Sequence, residues 1–92
     1  MAYEIVEFQD TPNPNALKCV LDRPVAPLGG AGLRSYQSRD AAAADPVAVP
    51  IMTVPGVVGV LITPGWITIS KAPEVEWKQL KGALKKVMSG LE

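Results

Sequence analysis

Histidine is absent from this sequence of 92 residues, and cysteine occurs once, at position 19. Without histidine, neither a Ser-His-Asp triad nor a Cys-His pair can form, and a single cysteine cannot close an internal disulfide. The carboxylates are scattered, and Glu4 and Glu7 fall on opposite faces of a predicted strand, so no acid–base pair is indicated. We therefore predict no catalytic residues and no enzyme, and the usual soft ligands are too few for a metal site.

Net charge and long apolar runs are missing as well. Nine basic residues balance nine acidic ones, which argues against a nucleic-acid binder because such proteins neutralise phosphates. No apolar stretch approaches the roughly 18 residues of a membrane-spanning helix, and the acidic N-terminus does not resemble a leader peptide. An unpaired cysteine suits a reducing compartment. We therefore predict no nucleic-acid partner, no membrane association and a cytoplasmic location.

The chain length predicts a single domain over residues 1–92, and its first element is an antiparallel hairpin. Residues 3–9 are rich in β-branched and aromatic side chains, and residues 16–21 alternate between two faces, with Cys19 on the apolar one. Residues 11–15 hold two prolines, which lack N–H donors, and two asparagines, which favour turns. This stretch is therefore expected to end the first strand.

Proline and glycine interrupt the middle of the chain. Residues 23–32 predict a mobile loop, and residues 33–37 predict a short strand. Ser38 can cap a short helix near 39–45, where four alanines occur, and a second turn or short helix is predicted near 47–53. A break between them is expected because a proline in a helix interior costs about 3 kcal/mol.

The last third of the chain predicts a second hairpin and an amphipathic helix. Residues 57–71 contain two apolar strands around Pro64 and Gly65, a pair that suits a type II turn with positive φ at the glycine. Pro73 suits the first position of the helix and Gly90 its end. Spacings of three and four give the helix one apolar stripe, made by Trp77, Leu80, Leu84, Val87 and Met88.

These elements together predict an α+β fold. The stripe on the last helix must be covered, because an isolated helix of this length is marginal in water. We therefore expect a two-layer sandwich, with a mostly antiparallel sheet of about four strands and two helical segments on one face.

The sequence of residues 11–18, TPNPNALK, resembles the signature of the N-terminal domain of Nfu/NifU-like scaffold proteins. Further pieces resemble motifs of that family in the same order, at residues 24–25, 45–48, 54–60, 66–71 and 77–81. Two positions depart from the family pattern. Cys19 replaces an aromatic residue, and Pro50 lies in the segment of the middle helix.

The resemblance implies an α+β domain with a link to iron–sulfur cluster assembly. In full-length proteins of that family, a separate C-terminal domain carries a Cys-x-x-Cys pair that holds the cluster, and this sequence contains no such pair. Cluster ligation requires several thiolates. We therefore expect no cofactor to be bound directly, and we interpret Cys19 as a core residue.

The predicted partner-binding residues are Thr11, Pro12, Asn13, Pro14, Asn15, Lys18, Trp66, Lys78, Lys81 and Lys85. The loop at 11–15 could present a rigid edge to a partner, or could serve hairpin geometry alone. Trp66 could be an exposed interface anchor or could pack against a helix end. The lysines of the last helix could steer an acidic partner or form an ordinary solvated face.

The sequence thus predicts a non-catalytic protein-interaction module of iron–sulfur cluster assembly. Its expected partners are iron–sulfur scaffold, carrier or target proteins, and we favour a monomer. The alternative is a stand-alone homo-oligomeric or small-ligand-binding domain with no cluster role, in which Trp66 would be buried between subunits.

Overall fold

The protein is described by a computed structural model that covers residues 3–24 and 33–90. The strands are β1 (Ile5–Asp10), β2 (Ala16–Leu21), β3 (Arg34–Tyr36), β4 (Val57–Ile62) and β5 (Trp66–Lys71). The helices are α1 (Arg39–Ala42), α2 (Ala48–Met52) and α3 (Trp77–Ser89). Most of the mobile loop predicted at residues 23–32 lies outside the described residues.

The five strands form one antiparallel sheet in the order β1-β2-β5-β4-β3. Both predicted hairpins are confirmed, since β1 pairs with β2 and β4 pairs with β5. The hairpins join through β2 and β5, where Cys19 lies opposite Ile67. The sheet has five strands where about four were expected, because the short strand predicted at residues 33–37 is present as β3 and pairs with β4, with Arg34 opposite Ile62.

Three helices pack on one face of this sheet, because the first of the two expected helical segments is divided into α1 and α2. The alternation in β2 and β5 sends Cys19, Ile67 and Ile69 into the core, and all three are completely buried. Leu84 and Met88 of α3 are buried against the same cluster, so the apolar stripe of that helix is confirmed. The two layers of the predicted sandwich are therefore present, and the opposite face of the sheet has no helix over it in the described residues.

The middle segment contains two short helices with a break between them, as predicted. The Ser38 hydroxyl accepts the N–H of Ala41 at 3.1 Å and caps α1. Pro50 lies within the first turn of α2. The N–H groups of a first turn have no acceptor inside the helix, so a proline there removes no helical hydrogen bond. The departure from the family pattern at Pro50 is thereby accommodated.

The predicted type II turn in the second hairpin is wrong. Gly65 does not have positive φ, and the turn is closed instead by Thr63, whose hydroxyl accepts the N–H of Trp66 at 3.2 Å. Among the described residues, positive φ occurs at Gly56, with φ 97°. Glycine is needed there, since a Cβ atom at that position would also lie 3.0 Å from the side chain of Val75.

The last helix begins four residues later than predicted. Pro73 was expected at its first position, but α3 starts at Trp77 and Glu76 is its N-cap. The Glu76 and Gln79 side chains form a capping box, which satisfies two backbone N–H groups that a proline start would leave open. Gly90 is the C-cap, so the predicted end of the helix is confirmed.

Candidate protein-docking site

The loop at residues 11–15 is held in one shape by its own side chains. The Thr11 hydroxyl lies 2.8 Å from the carbonyl oxygen of Asn13 and 2.9 Å from that of Ala16. It also accepts the N–H of Asn13 at 3.2 Å, while the Asn13 Oδ1 accepts the N–H of Asn15 at 2.9 Å. Threonine and asparagine side chains stabilise turns in this way. Because the loop is already ordered, a partner would bind it at a reduced entropic cost.

Two side chains from distant parts of the sequence clamp this loop. Lys71, at the end of β5, is only 7% exposed, and its Nζ donates to the Asn15 Oδ1 at 3.1 Å and to the Ala72 carbonyl oxygen at 3.3 Å. Trp77, at the start of α3, donates its Nε1–H to the Pro14 carbonyl oxygen at 2.9 Å. The Lys71 Nζ also lies 5.7 Å from the centre of the Trp77 ring, within the range of a cation–π contact. Three sequence motifs therefore meet at one place.

A cleft of about 360 Å³ opens beside the clamped loop. It is lined by Asp10, Thr11, Pro12, Asn13, Pro14, Ala16 and Trp77. The lining is mixed: Pro12, Pro14 and Trp77 are its larger apolar residues, and Asp10 is its charged residue. A cleft that contains an aromatic residue and two prolines can receive an anchoring side chain from a partner protein.

Lysines of α3 lie over an aromatic ring of β1. The Nζ of Lys81 is 5.1 Å and that of Lys85 is 5.5 Å from the centre of the Phe8 ring on β1. Residues three or four apart on a helix are neighbours, so Lys78 lies on the same side. We call Lys78, Lys81, Lys85 and Phe8 the basic flank. It begins next to the indole that lines the cleft, because Lys78 follows that tryptophan directly.

The other two predicted residues lie on the opposite face of the sheet. Lys18 and Trp66 point away from the helices, and the Lys18 Nζ lies 4.7 Å from the centre of the Trp66 ring. The aromatic ring is half-buried, so the lysine partly covers it. The structure therefore brings the loop to the start of α3, from which Lys78, Lys81 and Lys85 follow along the helix, and it separates Lys18 and Trp66 from them.

Cys19 is a core residue and does not present a ligand. Its side chain is completely buried, and burial raises the pKa of its thiol to about 12, against a smaller opposing effect of Lys81. In residues 3–24 and 33–90, no group of three or more histidine, cysteine, aspartate or glutamate side chains is arranged to hold a metal ion. An iron–sulfur cluster needs several thiolates, so the residues present do not fit one.

We expect Cys19 to react with a thiol reagent only when the protein unfolds. The thiolate is the reactive species, and burial disfavours it in the folded domain. The measurement is the rate of labelling with Ellman's reagent at mildly alkaline pH, with and without denaturant. Rapid labelling of the native protein would contradict the core assignment.

A buried polar cluster was missed from the sequence. Asp45 is 1% exposed and accepts from the Arg34 Nε at 2.8 Å and from the Tyr36 hydroxyl at 2.9 Å. Its Oδ1 also accepts the N–H groups of Val47 and Ala48, so it caps the chain entering α2. The sequence did contain one signal for this cluster. Asp45 lies two residues before the helical segment predicted near 47–53, and aspartate often caps the chain at such a position. The cluster ties β3 to the helices and stabilises the fold at a distance from the loop.

In the part of the chain that the structure describes, no helix is both long and apolar enough to cross a bilayer.

The fold and the site define a small two-layer α+β domain with a clamped proline–asparagine loop beside a basic helix flank. The family described as "Scaffold protein Nfu/NifU N terminal" matches residues 6–91. The chain belongs to this family, as the resemblance of residues 11–18 predicted.

Curated relatives are longer than this chain. The human protein "NFU1 iron-sulfur cluster scaffold homolog, mitochondrial" is 34% identical over 80 residues, which cover 86% of this chain and 30% of that protein. "NifU-like protein 4, mitochondrial" of Arabidopsis thaliana is 33% identical over 76 residues, which cover 83% of this chain and 26% of that protein. The chain thus spans less than a third of the length of these relatives.

Solved structures share the fold. The crystal structure of Staphylococcus aureus protein SAV1430 has a TM-score of 0.72 and 20% identity, and covers 91% of this chain and 96% of that one. The solution structure of a NifU-like protein from Saccharomyces cerevisiae has a TM-score of 0.71 and 23% identity, with 90% of this chain and 73% of that one covered. These likenesses confirm the α+β architecture.

Proposed function

We propose that this chain is a non-catalytic protein-interaction module of iron–sulfur cluster assembly. It docks to a scaffold, carrier or apo-target protein, and the partner holds the cluster. Membership of the Nfu/NifU N-terminal family supports the link to cluster assembly, as does a relative named as an iron–sulfur cluster scaffold homolog.

The observation that carries the docking role is the clamped loop. Lys71 is a buried cation, and its ammonium group is held by the Asn15 side chain and a backbone carbonyl. The arrangement fixes residues 11–15 in one conformation at the surface, and an ordered surface loop is the usual form of a recognition element.

In this role the chain supplies no side chain that ligates the iron–sulfur cluster. Its single cysteine is buried with a raised pKa, and the sequence contains no histidine. Contact with a cluster-bearing protein is therefore the proposed role, in place of ligation. A reducing compartment such as the cytoplasm, where an unpaired thiol persists, is part of the same proposal.

The test is a titration of the ¹⁵N-labelled chain with a purified Cys-x-x-Cys scaffold domain, with and without its cluster. We expect amide shifts confined to the loop at 11–15, the start of α3 and the basic flank. The control is the opposite sheet face around Thr68, which is remote from the loop and is expected to remain unchanged. No shift with either form of the scaffold, or shifts centred on Thr68, would contradict the proposal.

The homo-oligomeric alternative is checked in the same samples. Light scattering of the free chain gives its mass, and we expect that of a monomer. Lys18 already covers part of the Trp66 ring, which reduces the apolar area that a second copy could bury there. A stable dimer that buries Trp66 would favour the alternative.

A further inference from the structure

In the described residues, the lysines of the basic flank form no ion pair within 4 Å. The ion pairs there are Arg23 with Asp22 and Arg34 with Asp45, and neither involves the basic flank. Lys81 and Lys85 have the Phe8 ring as their partner. A cation–π contact at an exposed site contributes only about 0.5–1 kcal/mol, so the ring offsets the repulsion between the two lysines without replacing a carboxylate.

The two ammonium groups are also held in place. Lys81 and Lys85 are four residues apart on α3, where like charges destabilise a helix by a few tenths of a kcal/mol. Both nevertheless lie over one aromatic ring, which restricts where their long side chains can go. An anion that reaches this ring would meet two ordered cations, and it would relieve their mutual repulsion.

We infer that the basic flank and the cleft together bind an acidic segment of a partner protein, with an apolar residue at one end. This inference rests on the proposed docking function and names the chemistry of the partner. The carboxylates lie along Lys78, Lys81 and Lys85. The apolar residue enters the cleft at the loop.

The charges fix the orientation of that segment. Asp10 is part of the cleft lining, so a carboxylate is disfavoured there and an apolar side chain is accepted between Pro12, Pro14 and Trp77. Along α3 the charges of the basic flank are positive from Lys78 onward. The acidic end of the segment therefore points toward the C-terminus of α3, and the apolar end toward the loop.

The spacing of the lysines sets the spacing of the acidic residues. Lys81 and Lys85 are separated by about 6 Å along the helix axis, at about 1.5 Å per residue. In an extended segment, side chains on the same side repeat about every 6.7 Å. Carboxylates two residues apart in an extended partner segment thus match these two lysines.

The probe is a fluorescein-labelled peptide that carries a leucine followed by a glycine and four glutamates, and its binding to the whole chain is followed by anisotropy. We expect weak, salt-sensitive binding, with shifts at Phe8, Lys81 and Lys85 in a parallel ¹⁵N titration. The variant Lys81→Gln/Lys85→Gln is expected to weaken binding about tenfold, from the loss of two exposed charge pairs. The control Lys86→Gln removes an exposed charge from the same helix, at a lysine other than the two that lie over the Phe8 ring, and is expected to change binding less than twofold.

A charge exchange keeps the test informative if the double glutamine variant folds poorly. Lys85→Glu alone is expected to weaken binding of the glutamate peptide about as much as the double variant, because each of the two changes lowers the charge of the basic flank by two units. The inference is overturned if the glutamate and glutamine peptides bind equally, if neither binds, or if Lys86→Gln weakens binding as much as the double variant. An oligonucleotide of equal charge that binds more tightly than the peptide overturns it in favour of a nucleic acid.

The outcomes also separate this inference from the proposed function. If a scaffold domain binds at the loop and Lys81→Gln/Lys85→Gln does not change that binding, the proposed docking function stands and the inference of an acidic segment is wrong. If the glutamate peptide binds and no scaffold domain does, the inference of an acidic segment is supported and the proposed role in cluster assembly is contradicted.

Discussion

Asp45→Asn is expected to lower the free energy of unfolding by about 3–5 kcal/mol, the usual effect of removing one partner from a buried ion pair. The substitution leaves the Arg34 guanidinium buried without the carboxylate that accepts its Nε–H at 2.8 Å. Chains of this size have total stabilities of roughly 5–14 kcal/mol, so the loss is a large fraction of the whole. Urea unfolding followed by tryptophan fluorescence measures it.

Two controls separate the ion pair from local packing. Tyr36→Phe removes one hydrogen bond to Asp45 and keeps the ring, so about 1 kcal/mol is expected. Asp40→Asn changes an exposed carboxylate in the first turn of α1, and a change below about 0.5 kcal/mol is expected. If Asp45→Asn proved as mild as either control, the ion pair would not be a main stabilising contact of this fold.

The same variant has a signature in pH. Burial by itself raises the pKa of Asp45, but hydrogen bonds from Arg34, Tyr36 and two backbone N–H groups outweigh it and hold the pKa below 3.8. A depressed pKa contributes stability that is complete above the unfolded value and is lost as the pH falls through the folded value. Below about pH 4, the free energy of unfolding of the unsubstituted chain should therefore fall by more than that of the Asp45→Asn variant. The pKa of Asp22 is also lowered, by its hydrogen bond with Arg23, but Asp22 is present in both proteins, so its contribution cancels in the comparison.

Trp77→Ala is expected to destabilise the domain by about 2–3 kcal/mol, less than the 3–5 kcal/mol typical of a fully buried aromatic residue, because the indole is half-buried. The larger consequence falls on the loop. The substitution removes the Nε1–H donor to Pro14 and the ring beneath the Lys71 ammonium group. Amide hydrogen exchange at residues 13, 15 and 16 should therefore accelerate more than exchange in the β2–β5 pair, and partner binding should weaken with it.

Trp66→Ala is the matched control for that prediction. It removes the same side chain from the opposite face of the sheet, where the ring contacts Lys18. Exchange at residues 13, 15 and 16 is expected to stay as in the native chain. Trp77→Phe refines the comparison, because it keeps an aromatic ring and removes one hydrogen bond worth about 1 kcal/mol. Equal acceleration in Trp77→Ala and Trp66→Ala would mean that the loop responds only to global stability.

Local pattern was sufficient to predict the secondary structure of this domain. The alternation around Cys19 and the spacing from Leu80 to Met88 report directly which side of each element meets the core, so the second strand and the last helix were correctly assigned. Boundaries were less predictable. Pro73 and Glu76 are both residues that commonly occur at helix starts. The structure shows that Glu76 is the N-cap, because its side chain and that of Gln79 form a capping box. The short strand predicted at residues 33–37 is β3, and the prediction extended it by one residue at each end.

The candidate site was predictable only in part, because its supporting contacts join distant residues. The loop at 11–15 was visible as a run of turn-forming residues. Lys71 was visible only as the end of an alternating strand, and its hydrogen bond to Asn15 spans 56 residues of sequence. The ion pair of Arg34 and Asp45 was hidden for the same reason. Lys18 was grouped with the loop by its position in sequence, although strand alternation places it on the other face of the sheet.

The clamp on the loop limits how the motif can be transplanted. An insert of residues 11–18 carries the turn contacts of Thr11 and Asn13, but it leaves behind the two side chains that hold Asn15 and Pro14. A graft onto another hairpin would thus be loose unless the host supplied a lysine and a tryptophan at equivalent positions. The recognition element of this domain is a composite of three segments, and it is portable only as the whole fold.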